Sequence, residues 1–230
     1  MGGSEYHLPG AIVVQKRGPA VFNLKTAGSC HVLVRIISGV CKGRKLCVPQ
    51  GMSLRPTSDH VKETLFNMIA KEISGAVVLD VFAGTGNIGI EALSRGAERS
   101  VFIEKSSVHI RILQRNLALC GLEPQSEVYC GDANKILLKF HKLGRKFDII
   151  YLDPPYRQTN MLQDIFEKLL DYALMYDTGL IIVEHAHVFT PQDTVGGWGL
   201  YDRRYLGDTT LSFYRSQRCT HPFSPIKGAS

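Results

Sequence analysis

Val77-Val78-Leu79-Asp80-Val81-Phe82-Ala83-Gly84-Thr85-Gly86-Asn87-Ile88-Gly89 decides the fold of this 230-residue chain. Its first five residues are apolar apart from one carboxylate, the composition of a strand buried on both faces. Three glycines follow, and the pattern then turns helical from Gly86 to about Arg95. A strand that runs through a glycine-rich turn into a helix opens a doubly wound sheet, and the ligand of such a sheet lies beyond the strands' carboxyl ends. Downstream, strands are predicted at 100–104, 127–130, 147–152 and 179–184, separated by helices at 108–119, 133–141 and 161–174. Residues 199–205 and 209–215 are extended segments joined by Leu206-Gly207-Asp208, which suits an antiparallel hairpin. The expected core is therefore a seven-stranded, mostly parallel α/β sheet.

Gly84, Gly86 and Gly89 fit G-x-G-x-x-G literally, and Glu104, after Val101-Phe102-Ile103, lies far enough on to bind a ribose. A nicotinamide oxidoreductase is one reading of these residues. Asp80 opposes it, because a carboxylate at the strand's end repels a pyrophosphate and attracts the ammonium group of a methionine moiety. S-adenosylmethionine carries no phosphate and is positive at sulfur. Asp80 would then hold its amino group, Glu104 its ribose hydroxyls, and Asp132, in Gly131-Asp132-Ala133, its adenine amine. Phe82, Gly84, Gly86, Asn87, Lys105 and Ala133 complete the expected cofactor-binding set. Each acid also has a plain structural reading: Asp80 and Asp132 could cap the helices that follow them, and Glu104 could be a surface charge.

Asp153-Pro154-Pro155-Tyr156 closes the predicted strand 147–152. An exocyclic amine on a nucleobase has a delocalised lone pair, which two fixed hydrogen-bond acceptors can localise while an aromatic ring stacks on the base. Asp153 and the Pro154 carbonyl would be the acceptors, Pro155 would stiffen the turn, and Tyr156 would stack. The alternative is a turn that merely ends a strand.

The chain is 44% apolar and 21% charged, enough for one substantial core with additions. Six scattered cysteines show no Cys-x-x-Cys pair, so reduced thiols and no bound metal are expected. No apolar run approaches the roughly 20 residues that span a bilayer, and no secretory signal pattern opens the chain, so a cytoplasmic location is expected. The net charge of +6 is uneven: residues 1–62 hold nine Lys and Arg against two acids, and residues 63–230 hold eighteen against nineteen. Residues 34–48 look like two short strands around a glycine-containing turn, and a helix is expected from Pro56-Thr57-Ser58 to about residue 72. This segment reads as a basic arm in which Arg35, Lys42, Arg44, Lys45, Arg55 and Thr57 contact a nucleic-acid backbone; a merely solvated face is the alternative.

Taken together, Asp80-x-Phe82-x-Gly84-x-Gly86, Glu104, Asp132 and Asp153-Pro154-Pro155-Tyr156 resemble the motifs of Rossmann-like class I methyltransferases that modify exocyclic amines. The tetrapeptide also occurs in DNA adenine-N6 methyltransferases, but no segment here is long enough for their target-reading insertion. Arg35-Ile36-Ile37-Ser38-Gly39, Lys42-Gly43-Arg44-Lys45-Leu46, residues 54–67 and Glu91-Ala92-Leu93-Ser94-Arg95-Gly96-Ala97 lie outside the cofactor pocket. They resemble the RsmD family of bacterial small-subunit (16S) ribosomal RNA methyltransferases, which act on guanine N2. The resemblance runs from about Arg35 to Arg215. It implies S-adenosylmethionine as methyl donor, S-adenosylhomocysteine as product, and ribosomal RNA, within the small subunit or an assembly intermediate, as partner of a monomeric enzyme. His60 departs from the family's usual Arg. The expected organisation is an unplaced, disordered extension at 1–34, an RNA-contacting hairpin and helix at 35–72, the methyltransferase domain at 73–216 and a tail at 217–230. A non-catalytic RNA-binding assembly protein on the same fold is the reading of a different class.

Overall fold

The computed structural model describes residues 30–49, 58–154, 159–189 and 191–218. Alternating strands and helices follow the predicted order: β1 (Cys30–Arg35), β2 (Lys45–Pro49), α1 (Asp59–Met68), β3 (Val77–Val81), α2 (Asn87–Ser94), β4 (Arg99–Glu104) and α3 (Ser107–Cys120). A short 3₁₀ turn at Glu123–Gln125 leads to β5 (Ser126–Cys130), α4 (Ala133–Lys142), β6 (Phe147–Leu152), α5 (Thr159–Asp171) and β7 (Met175–Ala186). The last three strands are β8 (Thr194–Val195), β9 (Trp198–Leu206) and β10 (Thr209–Ser216).

The main sheet has the order β5-β4-β3-β6-β7-β10-β9-β8, parallel from β5 to β7 and antiparallel thereafter. The seven predicted strands are all present. An eighth is added at the edge, where the two-residue β8 pairs Val195 with Trp198; a strand this short carries no periodic signal. The terminal hairpin folds so that β10 lies inside, between β7 and β9, and the sheet order brings the chain reversal at β3–β6 next to the candidate site.

Each face of the sheet buries its own apolar cluster. On one side α4 and α5 cover Leu79, Val101, Ile150 and Ile181. On the other α2 and α3 are joined by α1 and the β1–β2 hairpin, whose Ile36, Leu46, Val61 and Leu65 enter the same cluster as Val78, Tyr151 and Phe213. The N-terminal elements thus complete a core that the alternating units leave uncovered. Their limits differ from the sequence reading. β1 begins at Cys30, within the segment expected to be disordered, because Cys30 pairs with Pro49 across the hairpin. α1 ends at Met68, short of 72, and its start is fixed by Ser58, whose hydroxyl accepts the Val61 N–H at 3.2 Å.

Candidate active site

Asp80 arrives on β3 almost fully buried, and its carboxylate accepts the Gly89 N–H of α2's first turn at 3.0 Å. Burial pushes its pKa up to about 7; the Gly89 bond pulls against that and the charge of Glu104 adds to it. Between Asp80 and α2 the chain reverses through left-handed backbone at Phe82 (φ 69°), Gly84 (φ 55°) and Gly86 (φ 85°). Phe82 carries a strain of about 1–3 kcal/mol that is typical of ligand-binding turns. A Cβ at Gly86 would lie 2.1 Å from the Leu113 side chain, and one at Gly89 would lie 2.2 Å from the Phe102 ring. The glycines therefore let α2 start against α3 and sit close on β4.

Glu104, at the end of β4, accepts the Gly84 N–H at 2.8 Å and the Ser106 N–H at 2.6 Å, with His109 Nδ1 at 3.5 Å. Burial alone would raise its pKa, but the His109 contact and the two backbone donors outweigh it and hold the group below the usual glutamate range. It is an ionised acceptor at the lip of the turn. Asp132, after β5, caps α4 by accepting the Asn134 N–H at 3.1 Å. The capping readings of Asp80 and Asp132 thus hold. They do not exclude ligand binding, since a carboxylate has about four acceptor sites and each cap uses one. Ala133 is buried, Lys105 is exposed, and the Asn87 side chain is engaged by Lys62. Three carboxylates around an open glycine turn fit a cationic, phosphate-free adenosyl ligand.

Asp153 is the first residue after β6. Leu152 pairs with Val183, so the next residues on the two strands, Asp153 and Glu184, emerge together. The Tyr151 hydroxyl donates a hydrogen bond to the Glu184 carboxylate, which is almost fully buried. Burial drives the Asp153 pKa well above the ordinary aspartate range, and the charges of Glu184 and Asp80 push in the same direction. Pro154 is buried beside it, and Pro155 and Tyr156 lie outside the described residues. Sequence reasoning missed Glu184. Its signal was a lone carboxylate closing the apolar run Leu180-Ile181-Ile182-Val183.

The basic segment is fastened to this site by buried polar groups. Lys62 of α1 is fully buried; its Nζ donates to the Arg35 carbonyl at 2.6 Å and to Asn87 Oδ1 at 3.0 Å, with Glu91 at 3.8 Å. Glu91 of α2 accepts the N–H groups of Ile37 and Ser38 at 2.8 and 3.0 Å and pairs with Arg95 at 2.8 Å. Asn116 of α3 bonds both backbone groups of Cys47 and the carbonyl of Thr85 in the glycine turn. Of the predicted RNA contacts, Lys42 and Lys45 are exposed, Arg35 pairs with Asp59 at 2.9 Å, and Arg44 donates to the Leu119 carbonyl. Arg55 and Thr57 lie outside the described residues.

The architecture, with its acidic strand ends around a strand-to-helix glycine turn, is that of the Rossmann-like class I methyltransferases. A family model described as "Conserved hypothetical protein 95" matches residues 34–215, and the chain belongs to that family, the RsmD family. It is 36% identical over 185 residues to "Ribosomal RNA small subunit methyltransferase D" of Escherichia coli (strain K12), covering 80% of this chain and 90% of that protein. The protein of the same name in Haemophilus influenzae (strain ATCC 51907 / DSM 11121 / KW20 / Rd) is 33% identical over 183 residues, 80% of this chain and 94% of its own length. Among solved structures, a hypothetical protein of Thermus thermophilus, TTHA0928, superposes with a TM-score of 0.70 at 28% identity, covering 80% of this chain and 99% of that one.

Proposed function

We propose that the protein transfers a methyl group from S-adenosylmethionine to the exocyclic N2 amine of a guanine in small-subunit ribosomal RNA. The observation that carries this reading is the placement of Asp80 and Asp153 at the carboxyl ends of the adjacent strands β3 and β6, which would set the methyl donor beside the target amine. The relatives named ribosomal RNA methyltransferases support an RNA substrate. S-adenosylmethionine supplies an electrophilic methyl on a positively charged sulfur. Asp80 would take its ammonium group, Glu104 its ribose hydroxyls, and Asp132 with Ala133 its adenine edge. Asp153 and the Pro154 carbonyl accept the two N–H bonds of the target amine and stabilise the positive charge that grows on nitrogen. Tyr156 stacks on a base presented unpaired or extruded, because a paired guanine hides its N2. The enzyme acts as a cytoplasmic monomer on the subunit or an assembly intermediate. Among the described residues, no helix is long and apolar enough to cross a membrane.

Mass mapping of methylated guanines in ribosomal RNA, from a strain lacking the gene and from the same strain with the gene restored, tests the target. One N2-methylguanine of the small-subunit RNA should vanish and return. An unchanged small-subunit RNA would refute the assignment.

The basic hairpin adds a second expectation. Replacing Lys42 and Lys45 together by Gln should weaken RNA binding and lower the slope of log affinity against log salt by about 0.7 for each phosphate that is no longer neutralised. A slope equal to the wild type's across a salt titration would return these residues to a solvated face.

A further inference from the structure

Glu184 has no part in the proposed methyl transfer, yet it stands beside the residue at its centre. The β6–β7 register brings Asp153 and Glu184 out side by side, and Tyr151, two residues before Asp153 on the same face, donates its hydroxyl to Glu184. We infer that Glu184 is a positioning residue for proton removal: fixed beside Asp153 by the Tyr151 hydroxyl, it makes Asp153 the base that takes the proton the target amine loses. This deepens the proposed function and rests on its assignment of Asp153. In the step, the nitrogen lone pair forms the bond to the methyl carbon as that carbon's bond to sulfur breaks, the electron pair of the broken bond going to sulfur and leaving neutral S-adenosylhomocysteine. One N–H bond then breaks, its electron pair stays on nitrogen, and the proton moves to an Asp153 carboxylate oxygen. The product amine is neutral, and the proton leaves Asp153 for water when the site opens.

Among the described residues, the charges that act on Asp153 are negative. Glu184 stands next to it, Asp80 approaches from β3 with Glu104 of β4 behind it, and β10 places the apolar Leu211 opposite Glu184. On β7 itself His185 turns to the other face, where it meets the Ser212 hydroxyl that also receives Arg203. The cation of α1, Lys62, is taken by Glu91, Asp59 and the Arg35 carbonyl. Burial and like charge thus both raise the proton affinity of Asp153. Once ionised, a carboxylate so placed is a stronger base than an isolated one, which suits it to an amine that becomes acidic only as it is methylated.

Infrared difference titration of the cofactor-free protein tests this without relying on turnover, by following the carboxyl stretch of protonated Asp153. Beside the contribution of Asp80, a component of the band should titrate in the wild type and disappear in Asp153→Asn. In Glu184→Gln the neighbouring charge is gone and ionisation of Asp153 is easier, so the midpoint should fall by about one pH unit or more. In Tyr151→Phe the anionic pair loses its donor, so the midpoint should rise. The acidic limb of the single-turnover pH–rate profile should move with each midpoint, which a purely structural role for Glu184 would not cause. A midpoint unmoved in both variants, or an infrared titration that Asp153→Asn leaves unchanged, overturns the inference. Opposite shifts in the two variants, from a wild type that makes no N2-methylguanine, would uphold the carboxylate pair and refute only the target assignment.

Discussion

Asp153→Ala is expected to slow methyl transfer by about a hundredfold or more while cofactor affinity stays within about twofold of the wild type. The side chain is one of only two acceptors proposed for the amine, and it sits past the end of β6, away from the Glu104 and Asp132 that would hold the adenosyl part. Its removal takes away an oriented charge that matters most as nitrogen turns cationic. Folding stability should move the other way. Burial and the neighbouring acids raise the Asp153 pKa in the folded state. An acid so raised costs stability at any pH above its unfolded value and costs nothing below it, so at neutral pH the Ala variant should be as stable as the wild type or more so. Single-turnover kinetics, cofactor calorimetry and thermal unfolding measure the three effects. Near-normal turnover would remove Asp153 from the chemistry.

Glu91→Ala should cost about 3–5 kcal/mol of folding stability, the range for removing one partner of a buried ion pair. Glu91 is fully buried and does three things at once: it receives two N–H groups of the β1–β2 hairpin, pairs with Arg95, and faces the buried ammonium of Lys62. In its absence those donors are desolvated without this acceptor. Lys62 depends on it most, since burial lowers the Lys62 pKa and the charges of Glu91 and Asp59 counter that. Denaturant unfolding monitored by circular dichroism should show the destabilisation at an unchanged m-value. Glu91→Gln, which keeps an acceptor oxygen, should cost less. A change under about 1 kcal/mol would mean that the joint between hairpin and catalytic core is held by apolar packing alone.

Glu91 also shows why the motifs outside the pocket carry the family resemblance. Glu91-Ala92-Leu93-Ser94-Arg95 and Arg35-Ile36-Ile37-Ser38-Gly39 are two halves of one contact: Glu91 receives the Ile37 and Ser38 N–H groups, and Ser94 donates its hydroxyl to the Ser38 carbonyl at 2.6 Å. In the sequence these are two separate strings; their complementarity appears only in space. Lys62 behaves likewise. Counted among the nine cations of residues 1–62, it proves to be buried and bonded to Asn87 at the start of α2, so the charge of that segment is partly internal. Arg35 and Arg44 are also partly engaged within the fold, by Asp59 and the Leu119 carbonyl.

The strand-and-helix alternation, the glycine turn after β3 and the acids at the ends of β3, β4 and β5 are all legible in the amino-acid order, because each is a local pattern of period, composition and chain position. Which strand ends face one another is not written there. It took the folded arrangement to establish that β10 enters between β7 and β9, that β7 lies against β6, and that Glu184 and Tyr151 therefore stand with Asp153 on one face of the sheet. The physical reason is that the pKa and hydrogen bonding of a carboxylate depend on groups within a few ångströms. Strand pairing brings those groups together from distant parts of the chain, as it does for Tyr151 and Glu184, 33 residues apart.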